Sequence, residues 1–145
     1  MPSIMLAQFL LVSAALLLPV SAIAQRDPQA ESTCYSRLNH ENVRACIKEQ
    51  AIQAGKDMES AEKLLAAAIR RELHANRTAA LQQLSQANAH YRQYRKHQCE
   101  FQSEAASGKK SAPDRRMLCT TALDLQRTRD LKATVDALGS SSAKS

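Results

Sequence analysis

Three apolar stripes run through the chain at helical spacing. The first is Ile47, Ala51, Ala54, Met58, Ala61, Leu65 and Ala68, where steps of four and three residues alternate. That alternation places all of these side chains on one face of an α-helix. Asn39 or Asn42 suits the start of this helix as a cap. Gly55 lies inside the stripe and costs about 1 kcal/mol against alanine in a helix interior. It therefore allows a local break over Gly55-Lys56-Asp57. The pattern fades at Ala75-Asn76-Arg77-Thr78, where Asn76 fits a turn or cap. The second stripe is Ala80, Leu84, Ala87, Tyr91, Tyr94, Gln98 and Phe101, which places Tyr91 and Tyr94 in core or semi-core positions with their hydroxyls reaching the surface. It stops before Ser107-Gly108-Lys109-Lys110-Ser111-Ala112-Pro113-Asp114, where glycine ends a helix and proline prevents its continuation. The third stripe is Leu118, Ala122, Leu125, Thr128, Leu131, Val135 and Leu138, and Gly139 onward has the composition of a disordered tail. Short connections between amphipathic helices predict an all-α, antiparallel three-helix bundle, with helices over 40–75, 78–105 and 115–138.

Ahead of the stripes, Met1 to Ala24 contain no charged side chain. The apolar run from Leu6 to Leu18 leads through Pro19 to Ala22-Ile23-Ala24, the small-x-small spacing that a signal peptidase cuts after. The segment lacks the usual Lys or Arg at its start, and its length approaches the roughly 20 residues of a membrane anchor. Pro19 and the small residues favour cleavage, leaving Gln25 as the first residue. No cysteine follows directly to carry a lipid. The expected organisation is a signal peptide over 1–24, a domain over 25–138 with a polar lead-in over 25–39, and a tail over 139–145.

What remains after cleavage is about 120 residues, one domain in size. It carries all 20 Lys and Arg and all 14 Asp and Glu, so the net charge of +6 belongs to it. Its aromatics are only Tyr35, Tyr91, Tyr94 and Phe101. A core of alanine and leucine is thin, and disulfides would reinforce it. Four cysteines, Cys34, Cys46, Cys99 and Cys119, allow three pairings. In an antiparallel bundle Cys99 and Cys119 lie at matching heights beside the second connection, and Cys34 would clip the lead-in to Cys46. Cys46 falls near the same end as Cys99, so a swapped pairing stays open. The spacings of twelve, fifty-three and twenty residues do not match zinc, thioredoxin-like or haem-attachment patterns, which need close pairs. His90 and His97 are seven residues apart, not the four that helical metal sites prefer, and His97 with Glu100 offers at most an adventitious contact. No nucleophile elbow, phosphate loop or metalloprotease motif is present. The expectation is a binding protein rather than an enzyme, without metal or cofactor.

The segment Tyr91-Arg92-Gln93-Tyr94-Arg95-Lys96-His97-Gln98-Cys99, followed by Cys119, Arg127 and Leu131, resembles the signature of the lysozyme-inhibitor LprI-like N-terminal domain family. Cys34 and Cys46 resemble that family's first cysteine pair, and the likeness extends from about Cys34 to Leu138. Tyr91 stands where the family usually has Trp, and Lys96 where it usually has an acid. The resemblance implies a small exported helical protein, periplasmic or secreted, with Tyr91, Tyr94, Arg95 and Arg127 at signature positions. It also implies inhibition of lysozyme.

Candidate binding residues are Arg95 and Lys96 before Cys99, and Lys109, Lys110, Arg115 and Arg116 around the second connection. Arg127 suits a pairing with Asp124 or Asp130 at helical spacing. A Cys99–Cys119 bridge would crowd the binding cations at one end of the bundle. Two functions follow. One is a lysozyme-type hydrolase inhibitor whose basic loop occludes the cleft. The alternative is an envelope interaction protein that meets anionic lipid, glycan or an acidic partner through the same patch. Nucleic acid is disfavoured by export and the shortage of stacking aromatics. The stripes are equally compatible with monomer and dimer.

Overall fold

The computed structural model describes residue 34 and residues 40–105 and 112–142. The signal segment, the lead-in apart from Cys34, and Lys109 and Lys110 lie outside the described residues. The described residues include three long helices: α1 His40–Glu72, α2 Arg77–Glu104 and α3 Ala112–Ser142. No strand occurs among the described residues.

Helix α1 follows its stripe closely. Ile47, Ala54, Met58, Ala61, Leu65 and Ala68 are all buried. Each fully buried Ile, Leu or Met contributes about 1.5–3 kcal/mol relative to exposure. The alanines between them let another helix approach closely, and α3 makes the most extensive contact with α1. Asn42 lies within α1 and is not its cap. Gly55 does not break the helix. It sits beside α3, where an added Cβ would meet Asp124 Oδ2 at 3.9 Å, an ordinary van der Waals contact. Gly55→Ala is therefore expected to stabilise the fold by about 0.5–1 kcal/mol, measurable as a raised denaturation midpoint; destabilisation would show that the glycine is needed for close packing.

Leu73 to Asn76 turn the chain between α1 and α2. Asn76 occupies the N-cap position, its carbonyl accepting from Ala80 N–H at 2.9 Å, without a side-chain cap bond. Leu73 packs against the core formed by Ala61, Leu65, Ile69 and Leu131, joined by Leu81, Leu84, Val135 and Leu138. At the other end Val43, Ile47 and Cys34 pack with Cys46, Met117 and Leu118. Arg44 also donates to Asp114 Oδ1 at 2.8 Å at that end. These contacts run α1 and α3 in the same direction, with α2 antiparallel to both.

Helix α3 takes in Pro113 and Asp114, which turn propensity alone assigns to the loop. Proline fits the first turn, where its missing N–H has no partner to lose, and an acid there faces the positive end of the helix. The helix also continues through Gly139 to Ser142, beyond the point where composition suggested a tail. Two disulfides close the structure, Cys34–Cys46 and Cys99–Cys119, with Cα atoms 5.8 and 5.5 Å apart. The geometric choice of pairing holds, and the swapped alternative is excluded.

Candidate functional site

Helix α2 keeps Ala80, Leu84, Tyr91 and Gln98 of its apolar stripe partly buried, while the other stripe residues face outward. Tyr94 is 53% exposed and Phe101 67% exposed, and Ala87 is exposed as well. The inward side also carries Asn88, Arg95 and Cys99 beside Tyr91. Two interactions fix this rotation. Cys99 is tied to Cys119, and Arg95 is tied to Asp124 of α3.

Asp124 is the centre of the bundle's polar layer and is 1% exposed. Arg95 Nη1 donates to its Oδ1 at 2.7 Å and its Oδ2 at 2.6 Å. The Tyr91 hydroxyl donates to Oδ1 at 3.1 Å. Arg127 does not pair with Asp124 or Asp130; its Nη2 donates to Asn88 Oδ1 at 3.0 Å. The same guanidinium lies 5.4 Å from the centroid of the Tyr91 ring, a cation–π distance. Thr121 and Thr128, both buried on α3, return their hydroxyls to the carbonyls of Met117 and Asp124. The signature residues Tyr91, Arg95 and Arg127 are thus brought together, whereas Tyr94 points outward.

The hydrogen bonds of this layer join α2 to α3. Both carboxylate oxygens of Asp124 accept hydrogen bonds from groups within the layer. Burial, followed by the Asp124 charge and the hydrogen bond to it, raises the Tyr91 hydroxyl above the ordinary tyrosine range. Stability from the neutral hydroxyl is then fully present below pH of about 10, the ordinary tyrosine pKa, and is lost as pH rises through the raised value. In an alkaline titration part of the phenolate absorbance should appear only as helix signal is lost. Tyr91→Phe should remove that late part; its persistence would contradict this environment.

The six candidate binding residues separate. Arg95 faces Asp124. Arg116 pairs with Glu100, which His97 Nδ1 also approaches at 3.7 Å. Lys96 and Arg115 are exposed at the disulfide-tied end of α2 and α3. Lys109 and Lys110 belong to the connection between those helices, outside the described residues. Sequence reading missed a second basic group at the opposite end, where Arg70, Arg71, His74 and Arg77 are exposed around the α1–α2 turn. Its signal was the flanking of that turn by Arg70-Arg71 and Arg77. Arg77 Nε donates to the Leu73 carbonyl at 3.0 Å, and Arg71 pairs with Glu72.

Among the described residues, no group of three or more His, Cys, Asp or Glu is placed to hold a metal ion. No described helix is long and apolar enough to cross a membrane. The profile of the family described as Lysozyme inhibitor LprI matches residues 34–131. No curated protein and no solved structure matches the chain. The matched span starts at the first cysteine, ends at the buried Leu131, and contains both disulfides and the whole Asp124 layer. The chain belongs to the LprI lysozyme inhibitor family.

Proposed function

We propose that this protein inhibits a lysozyme-type cell-wall hydrolase by occluding its substrate cleft. The disulfide-tied end is the part presented to the enzyme. The observation that carries the reading is the family match over residues 34–131. Physical support comes from the Cys99–Cys119 bridge, which fixes the ends of α2 and α3 relative to each other and so lowers the ordering cost of binding. Cations from Lys96, Lys109, Lys110, Arg115 and Arg116 suit a cleft whose chemistry depends on two carboxyl groups. In this reading the protein is a binder without cofactor, exported to the periplasm or secreted after cleavage behind Ala24. The two disulfides are consistent with an oxidising compartment.

Charge reversal tests the mechanism. Lys109→Glu with Lys110→Glu is expected to reduce inhibitory potency by about tenfold or more, and unchanged potency would remove these lysines from the contact. Against a basic lysozyme the net charge of +6 opposes long-range approach. Inhibition should therefore hold or strengthen with added salt, as screening removes the repulsion.

A second reading, an envelope protein that meets anionic lipid or glycan, draws on the exposed Arg70, Arg71, His74 and Arg77 group. It predicts the opposite salt response, with binding falling steeply as ionic strength rises.

A further inference from the structure

We propose that the buried Arg95–Asp124 pair sets the register of α2 on α3 and so directs Cys99 to Cys119 when the disulfides form. This inference goes beyond the inhibitor reading and does not depend on it.

The four cysteines lie at one end of the bundle. Cys34 and Cys46 share an apolar cluster with Met117 and Leu118, the two residues before Cys119, and Cys119 is bonded to Cys99. Wrong partners are therefore close at hand as the chain folds. Sequence distance discriminates weakly among them. Cys99 has Cys119 at 20 residues and Cys46 at 53. Loop-closure entropy favours the nearer partner by only about fourfold, because its cost grows with the logarithm of loop length. The choice also has to be right when it is made. Cys34, Cys99 and Cys119 are buried in the folded protein, so an attacking thiolate has little access to correct the bridges afterwards.

Three contacts climb α2 and α3 together. Cys99 meets Cys119, Arg95 meets Asp124, and the Tyr91 ring meets the Arg127 guanidinium. The steps are four and four residues on α2, and five and three on α3. Arg95–Asp124 thus sits about one helical turn from the bridge, in the same antiparallel alignment. Sliding α2 by one turn, about 5.4 Å, would stretch the Cys99–Cys119 Cα separation from 5.5 Å to about 8 Å, outside the roughly 7 Å within which a bridge closes. The same slip would leave the buried Asp124 without its guanidinium, and a buried charge that loses its partner is strongly disfavoured. The apolar contacts of α2, made by Ala80, Leu81 and Leu84, are non-directional and tolerate sliding better. Arg116–Glu100 spans the same helices but is exposed, where an ion pair contributes little. Fixing register is the best-attested use of a buried polar contact between helices.

The covalent step draws on an external oxidant, a small-molecule disulfide such as oxidised glutathione. One cysteine thiolate attacks a glutathione sulfur and releases the first glutathione thiolate. The other cysteine thiolate then attacks the mixed disulfide and releases the second. The two cysteines lose two electrons, the glutathione disulfide gains them, and the cysteine protons pass to the released thiolates through solvent. Arg95 and Asp124 take no part in this exchange; they position the second sulfur beside the first.

The test refolds the reduced, unfolded protein in a glutathione redox buffer, quenches early by alkylation, and identifies the partner of Cys99 by peptide mass spectrometry. It compares the native protein, Arg95→Met/Asp124→Leu, Asp124→Asn and Leu131→Ala. The double variant keeps a packed interior without the charge pair, Asp124→Asn keeps the shape without the charge, and Leu131→Ala weakens the core two turns away along α3. In the native protein nearly every bonded Cys99 should hold Cys119. In the double variant the share holding Cys46 should rise several-fold, toward the roughly one in five that loop entropy alone allows. Asp124→Asn should shift pairing in the same direction, and Leu131→Ala should pair like the native protein. Native-level pairing in both Asp124 variants would overturn the proposal. Equal mispairing in Leu131→Ala would also overturn it, by assigning the choice of partner to overall stability.

Discussion

Asp124→Ala is expected to destabilise the fold by about 3–5 kcal/mol, the range for removing one partner of a buried ion pair. Asp124 is 1% exposed, and it holds together two elements of α2 that are otherwise polar in the interior, the Arg95 guanidinium and the Tyr91 hydroxyl. Removing the carboxylate strands a charge and a hydroxyl in a layer between two apolar clusters. Arg95 retains 25% side-chain exposure, so partial access to water places the loss toward the lower part of that range. The reciprocal Arg95→Ala strands the carboxylate and should be at least as costly. Replacing the pair with Arg95→Met and Asp124→Leu should recover most of the loss, since well-packed apolar substitutes for buried ion pairs are often neutral or stabilising. Urea denaturation of the native protein and these three variants measures each loss and the recovery. A loss below about 1 kcal/mol for Asp124→Ala would indicate a solvated pair, as surface ion pairs contribute no more than that.

Opening the Cys99–Cys119 bridge with Cys99→Ser and Cys119→Ser should cost about 3 kcal/mol, from the loop entropy of a closure across 20 residues. Opening Cys34–Cys46, across 12 residues, should cost slightly less by the same relation. The functional effects should differ more than the stabilities. The first bridge joins α2 to α3 beside the proposed contact, whereas the second fastens Cys34 onto α1. Inhibition should therefore fall strongly when Cys99–Cys119 is opened and weakly when Cys34–Cys46 is opened, measured at a temperature where both variants remain folded. Equal losses would mean that the bridges act only through general stability.

Much of this fold is legible from periodicity because α1 is amphipathic in the ordinary sense. Its stripe of Ile47, Ala54, Met58, Ala61, Leu65 and Ala68 is its buried face. The disulfide pairing was readable for a related reason. Short connections fix which helix ends are neighbours, and Cys99 and Cys119 flank one of them. Helix α2 was misread at Tyr94 and Phe101 because an apolar pattern assigns aromatics inward. Here Asn88 and Arg95 take inward positions beside Leu81, Leu84 and Cys99, and Arg95 is stabilised by an acid on another helix. The Arg95–Asp124 contact spans 29 residues in sequence, so no local pattern contains it. Asp124 lies one position from the apolar stripe at Leu125, and helical spacing offers it to Arg127 rather than to Arg95. The continuation of α3 through Gly139 to Ser142 also escaped composition, which records the glycine and serines but not the helix already propagating from Leu131 through Leu138.

The candidate site was legible only as a location. Of the described basic residues beside Cys99 and Cys119, Lys96 and Arg115 are exposed, whereas Arg95 faces the interior and Arg116 meets Glu100. Side-chain partners across helices decide which cations face outward, and sequence spacing does not contain that information.

Cell-wall lysis by lysozyme, measured with increasing amounts of the oxidised protein lacking residues 1–24, tests the central claim most directly. The account predicts dose-dependent inhibition that is lost when the disulfides are reduced. Unimpeded lysis by every lysozyme tested, at protein concentrations well above that of the enzyme, would contradict it and leave the LprI likeness as a statement of fold alone.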